Sequence, residues 1–99
     1  MIRLSVFYPK GEGKTFDHEY YRDKHIPMAL SIWKPLVVEI DKGIDGPYEA
    51  AAHFTFASKE DLQAAMTNPE IKSITADLRN YTDITPVMQT SSIEKSERN

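Results

Sequence analysis

Residues 16–27 read Phe16-Asp17-His18-Glu19-Tyr20-Tyr21-Arg22-Asp23-Lys24-His25-Ile26-Pro27. Asp17 is a favoured N-cap residue, and Phe16 before it stands in the N′ to N4 spacing of a hydrophobic staple with Tyr21. A helix is therefore expected from about residue 17. Positions four apart share a helix face, so Tyr21 and His25 lie one above the other. Pro27 brings no amide donor and crowds the carbonyl four residues back, which predicts a kink or break near Asp23 to Pro27. Helical structure resumes through Met28 to Trp33, before Pro35.

On either side of this helix the pattern changes period. Ile2, Leu4, Val6 and Tyr8 alternate with Arg3, Ser5 and Phe7, a strand that ends at Pro9 and Gly11-Glu12-Gly13. Leu36-Val37-Val38-Glu39-Ile40 is a short, β-branched second strand, followed by a loop over residues 42–47. Ala50 to Ala57 is a third strand, with Ala51, His53, Thr55 and Ala57 on one face and Ala52, Phe54 and Phe56 on the other. Ser58 caps a short helix, with Asp61 in the capping-box position. Asn68-Pro69 restarts it, and Ile71, Ile74, Leu78 and Tyr81 then mark one helical face. Ile84 to Thr90 alternates as a fourth strand, in which Pro86 suggests an edge or a bulge.

The order β-α-β-β-α-β in about 100 residues is the ferredoxin-like arrangement, an α+β fold with two helices on one face of an antiparallel sheet. Residues 1–90 form the domain, and residues 91–99 are a polar C-terminal tail. All four strands carry apolar residues on both faces while the helices cover one; the bare face holds either Phe54 and Phe56 or the His53 set, and either choice predicts a homodimer.

Composition bounds the function. Ninety-nine residues leave no room for a separate cofactor domain. So small a domain has little interior for a private cavity, and a deep pocket is expected to need a subunit partner. Twelve basic residues, scattered among fifteen acidic ones, give a net charge of −3 and no footprint for nucleic acid. The chain has no cysteine, hence no disulfide, thiolate metal site or cysteine nucleophile. No apolar run approaches the ~20 residues that span a bilayer, and nothing at the start resembles a secretion signal. A cytoplasmic protein without membrane contact is expected.

His25 is the centre of the candidate site, because Tyr21 places a phenol beside the side chain whose ordinary pKa lies nearest neutrality. An equally simple reading has His25 bonding carbonyls freed by the kink. His53 lies among small neighbours, Ala51 and Thr55, as a pocket floor or as a satisfied core histidine. Tyr20 points about 100° away from Tyr21 and forms packing or pocket wall. Met28, Trp33 and Thr55 complete the candidate substrate-binding set, Met28 and Trp33 being equally suited to the core. His18 is expected in solvent at the first turn. No metal is expected, since the three histidines lack a ligand spacing.

The run Phe16-Asp17, Tyr20-Tyr21, His25-Ile26-Pro27 resembles the signature of the EthD family. Length, element order and the entry to the second helix, Phe56-Ala57-Ser58-Lys59-Glu60-Asp61-Leu62, fit as well. The resemblance implies a dimeric α+β barrel and an association with ethyl tert-butyl ether degradation. Relatives by fold include cofactor-free quinone-forming monooxygenases, polyketide cyclases, muconolactone isomerases and haem-binding members, so fold alone fixes no reaction. Methylmuconolactone isomerase-like proteins combine a helical histidine, a strand histidine and a cysteine. His25 and His53 fill the first two places, and the missing cysteine excludes a thiol-dependent mechanism.

The expected protein acts on an apolar aromatic, quinol or lactone-like metabolite in catabolism or secondary metabolism. It works without a cofactor, as an oxidoreductase of the monooxygenase type or an isomerase. His25 moves the proton, Tyr21 bonds a developing oxyanion and His53 orients the substrate. The other reading is a non-catalytic binding or accessory protein for a catabolic oxygenase. Haem on His25 or His53 is the one cofactor left open. His25 and His53 are expected to line one pocket between the first helix and the sheet, with Phe54 and Phe56 turned to the second subunit.

Overall fold

The computed structural model describes residues 1–98. In chain order it contains β1 (Ile2–Pro9), α1 (residues 18–33), β2 (Val37–Lys42), β3 (Tyr48–Phe56), α2 (Lys59–Met66), α3 (Ile71–Asp77), a 3-10 turn (Leu78–Asn80) and β4 (Val87–Ser92). The sheet order is β2-β3-β1-β4 and every pairing is antiparallel. This is the α+β, ferredoxin-like topology that the element order implies. None of the described helices is long and apolar enough to cross a membrane.

The capping chemistry behaves as the sequence requires. Asp17 accepts the Tyr20 amide at 3.0 Å, and the Phe16 and Tyr21 rings meet at 5.0 Å, closing the staple. Ser58 accepts the Asp61 amide at 3.2 Å. The Asn68 side chain accepts from the Glu70 amide at 2.9 Å and so turns the chain into α3. Lys34, left-handed at φ 50°, ends α1 with its amide on the Leu30 carbonyl.

Pro27 does not break the helix. The chain stays helical from 18 to 33, and the irregularity is a π turn over Tyr21–His25, where the Ile26 amide reaches back to the Tyr21 carbonyl. A wider turn adds one residue, which relieves crowding ahead of a proline without ending the helix. It also stacks the Tyr21 and His25 rings at 5.6 Å with 15° between planes.

Strand ends differ from expectation at the two edges. Pairing of β4 with β1 begins at Val87 opposite Phe7 and continues to Ser92 opposite Ile2, rather than spanning Ile84 to Thr90. Ile84 is instead buried in the core, its amide on the Thr82 hydroxyl at 3.0 Å, and Pro86 offers no donor. The serines therefore belong to a strand, extended by an Ile93 amide bond to the Met1 carbonyl. Likewise β2 starts one residue late and runs on through Asp41 and Lys42 opposite Ala51 and Ala50. An edge strand tolerates polar residues because its side chains reach water.

The helices cover the face that carries Ile2, Leu4, Val6 and Tyr8 from β1 with Ala50, Ala52, Phe54 and Phe56 from β3, all buried. Phe54 meets Trp33 of α1 edge to face at 5.0 Å. Phe54 and Phe56 are thus the floor of the core, and the expectation that they face a second subunit is overturned. Alternation then sends His53 and Thr55 to the bare face, since neighbouring strand residues point to opposite sides. The physical reason is volume. Two phenylalanines fill the space under α1 and α2, which an imidazole and a threonine would leave unfilled and partly unsatisfied.

Phe54→Ala removes a ring that is 2% exposed, and is expected to cost about 3–5 kcal/mol. For a domain holding about 5–15 kcal/mol in total that is a large fraction. Urea denaturation checks it, and a midpoint within experimental scatter of the parent would refute this assignment of the faces.

Candidate functional site

A cavity of about 130 Å³ lies between α1, α3 and the sheet. Its walls include Val6, Tyr8 and Phe54 from the sheet, Tyr21, His25, Ala29 and Trp33 from α1, Ile74, Thr75 and Leu78 from the second helical layer, and Pro86 and Met88 before and in β4. Residues of this one chain line it, and it is open on one side, beside the exposed Met88. The π turn is what brings His25 to this wall, buried beneath the Tyr81 ring at 4.5 Å.

The polar groups of the cavity form one chain of hydrogen bonds. His25 Nδ1 lies 2.9 Å from Asp77 Oδ2, and His25 Nε2 lies 3.2 Å from the Tyr81 hydroxyl. The Tyr81 hydroxyl lies 2.7 Å from that of Tyr8, and the Tyr8 hydroxyl is next to that of Tyr21. A carboxylate only accepts, so the ring hydrogen sits on Nδ1 and Nε2 keeps its lone pair for Tyr81 to donate to. The remaining phenols then donate in sequence, Tyr8 to Tyr81 and Tyr21 to Tyr8.

Asp77 is held in place by more than the histidine. Its other oxygen accepts from the Tyr20 hydroxyl at 2.7 Å and from the Asn80 amide at 2.9 Å. Burial pushes this carboxyl up, but hydrogen bonds from Asn80, Tyr20 and His25 outweigh it and hold its pKa below the ordinary range. The imidazole of His25 is pushed down by burial, against the hydrogen bond and charge of Asp77. The result is a neutral imidazole at pH 7, which is the form a general base needs. Burial raises the pKa of Tyr8, Tyr21 and Tyr81 alike, so all three stay protonated and serve as donors.

Of the sequence candidates, His25, Tyr21 and Trp33 line this cavity. Tyr20 does not; it is the clamp on Asp77. Met28 packs at the margin of the core, away from the cavity walls. His53 and Thr55 are on the opposite face, so the expected pocket shared by His25 and His53 does not exist in this chain. His53 Nδ1 instead meets the Ser5 hydroxyl at 2.8 Å, and its Nε2 meets the exposed Asp41 carboxylate at 3.2 Å. His18 is half-buried and bonded to Glu49 at 2.8 Å, not free in solvent.

Asp77, Tyr81 and Tyr8 escaped the sequence reading as site residues. Tyr81 and Tyr8 each fit an apolar stripe, which hides their hydroxyls from a reading of the sequence. The signal for Asp77 was its place three residues after Ile74 and four before Tyr81, an acid on the rim of an apolar helix face. A haem does not fit here. The cavity beside His25 is far too small for a tetrapyrrole, and both nitrogens of His25 are engaged. No group of three His, Asp or Glu residues suited to a metal occurs among the described residues.

Residues 10–85 match the EthD domain. The chain is 37% identical to an EthD-like protein from Ralstonia eutropha JMP134, covering 98% of this chain and 96% of that one with a TM-score of 0.87. An ethyl tert-butyl ether degradation (EthD) family protein from Bacillus halodurans C-125 is similar at 19% identity, with 94% and 98% covered and a TM-score of 0.75. SnoaB, a cofactor-independent oxygenase from Streptomyces nogalater, shares the fold at 10% identity, with 96% and 93% covered and a TM-score of 0.68. No curated protein matches the sequence. With most of its length matched by the domain and a near full-length relative above 30% identity, the chain belongs to the EthD family.

Proposed function

We propose that the protein is a cofactor-independent enzyme that removes a proton from an apolar, neutral metabolite, with His25 as the base. The observation that carries this reading is the neutral His25, whose Nδ1 hydrogen is fixed on Asp77 and whose Nε2 lone pair turns toward Tyr81 and the cavity. A ligand oxygen or carbon placed at Nε2 loses its proton there. The Tyr81 phenol, displaced from Nε2, then donates to the oxyanion that develops, while Tyr8 and Tyr21 keep donating along the chain behind it. An enolate re-protonated at another carbon completes an isomerisation. A quinol deprotonated in the same way becomes electron-rich enough to reduce oxygen, the oxidoreductase outcome, and the shared fold with a cofactor-independent oxygenase supports keeping both.

We also propose that the bare sheet face pairs two copies. It presents Phe7, Ala51 and Tyr48 in its middle, with Val37 and Val87 at the edges exposed at 48% and 54%. His53 and Thr55 would then lie at the interface, apart from the reacting centre.

The test uses two probes, proton exchange of cyclohexanone in deuterated water and oxygen uptake with catechol, a quinol whose two oxygens lie at one edge of the ring. His25→Gln is expected to lower whichever rate the protein supports by about 10²- to 10⁴-fold. Rates equal to the parent would sink the base assignment, and ligand binding without either reaction would leave a binding or accessory protein.

The pH dependence has a defined sign. The base works unprotonated and its pKa lies below the ordinary histidine value of about 6.5. The kcat/KM profile should therefore rise through a limb below pH 6.5 and be flat across neutrality. Asp77 supports the imidazolium, so Asp77→Asn should move the limb to still lower pH and reduce the plateau. A limb at or above the ordinary value would contradict the burial of His25.

Light scattering at micromolar concentration is expected to give the mass of a dimer. A monomer mass independent of concentration would refute the pairing.

A further inference from the structure

We infer that the cavity selects an uncharged single-ring molecule with its oxygen at one edge of the ring, a phenol, a catechol or a cyclic ketone, over fused rings and carboxylates. The inference rests on the reading of His25 as the base, and goes beyond it by naming what fits against that base.

Three features set the limit. The first is size. An apolar cavity of about 150 Å³ holds one benzene, and this one measures about 130 Å³. A second fused ring would extend out through the open side and gain little burial, because Trp33 and Phe54, packed edge to face, close one side and Ala29, only 1% exposed, brings the α1 backbone close on another.

The second is the distribution of polarity. The hydroxyl and imidazole groups of Tyr8, Tyr81 and His25 are joined in one hydrogen-bonded chain, while Val6, Ala29, Ile74 and Phe54 are apolar. A guest with one oxygen at the ring edge satisfies this chain and leaves its hydrocarbon portion against the apolar walls. A second polar group across the ring would be buried against Val6 and Ile74 at the cost of an unmade hydrogen bond, unless it reached the unpartnered indole N–H of Trp33.

The third is charge. No lysine or arginine is among the residues that line the cavity, and the Asp77 carboxylate stands behind His25. A carboxylate guest would enter a dry site with no cation to pair with and an anion close by, which disfavours it strongly.

Trp33 is the single tryptophan of the chain and sits in the cavity wall, so its one indole N–H resonance reports occupancy. Phenol, 2-naphthol and benzoate are titrated into the full chain at pH 7 and followed by ¹H–¹⁵N NMR. Phenol should shift the Trp33 resonance saturably with a Kd on the order of 1 mM or tighter. 2-Naphthol should bind at least about tenfold more weakly, and benzoate should leave the resonance unmoved. Ala29→Leu, which fills the cavity from α1, should abolish the phenol shift. If that variant fails to fold, the three-ligand ranking on the parent protein decides alone. Naphthol binding as tightly as phenol, a saturable benzoate response, or no phenol response would each overturn the inference. Phenol binding in this ranking with no exchange or oxygen uptake dependent on His25 would sink the proposed catalysis and leave the ligand class standing.

Discussion

The hydrogen bond from His25 to Asp77 joins residues fifty-two positions apart, and most of the site depends on it. One partner belongs to α1 and the other to the last turn of α3, so the bond ties the two helical layers together over the sheet. It also decides chemistry. An imidazole with Nδ1–H committed to a carboxylate has only one way to present Nε2, as an acceptor. Every donor direction through Tyr81, Tyr8 and Tyr21 follows from that single assignment. Without the carboxylate, the imidazole could hold either tautomer and the phenols could point either way.

The backbone irregularity in α1 serves the same bond. In a regular α-helix, a residue four positions on lies about 40° round the axis from its partner, because each residue turns by about 100°. The π turn over Tyr21–His25 makes the two rings nearly parallel and sets both against the cavity. Such turns carry weaker backbone bonding than the α form and persist where surrounding contacts over-determine them. Here Tyr21 is fixed by Phe16 and Tyr8 at 5.0 and 5.4 Å, and His25 by Asp77 and Tyr81. The tertiary contacts, together with a proline just beyond, outweigh the local preference.

How far the chain could be read before folding follows from the range of each interaction. Caps, staple and strand alternation act over four residues or fewer, and they placed each helix and each of the four strands. The π turn was visible only as a disturbance near Pro27, since sequence shows that a proline must be accommodated and not by which means. The orientation of β3 is not legible locally, because both of its faces hold apolar and small residues. Choosing between them requires the volume beneath α1, which comes from Trp33 and Ile26, far away in sequence. Asp77 stayed hidden for a related reason. An acid in an exposed-looking helical register acquires its meaning only when Tyr20, His25 and Asn80 converge on it.

A buried imidazole and three buried phenols are costly to hold in a domain of this size unless each polar atom finds a partner. The chain that ends on the Asp77 carboxylate meets that condition by letting His25, Tyr81 and Tyr8 each serve as donor on one side and acceptor on the other. Such a chain has a property that an isolated pair lacks. A guest oxygen that replaces the Tyr81 hydroxyl at Nε2 breaks one bond and makes another, while Tyr81, still held by Tyr8, becomes a free donor for that same oxygen. Binding therefore trades one satisfied arrangement for another with little net loss of hydrogen bonding. The favourable part of the free energy is left to the apolar ring against Val6, Ile74 and Phe54. In this way the groups that stabilise the empty fold are the same ones that would present a base and an oxyanion donor once a ligand is in place.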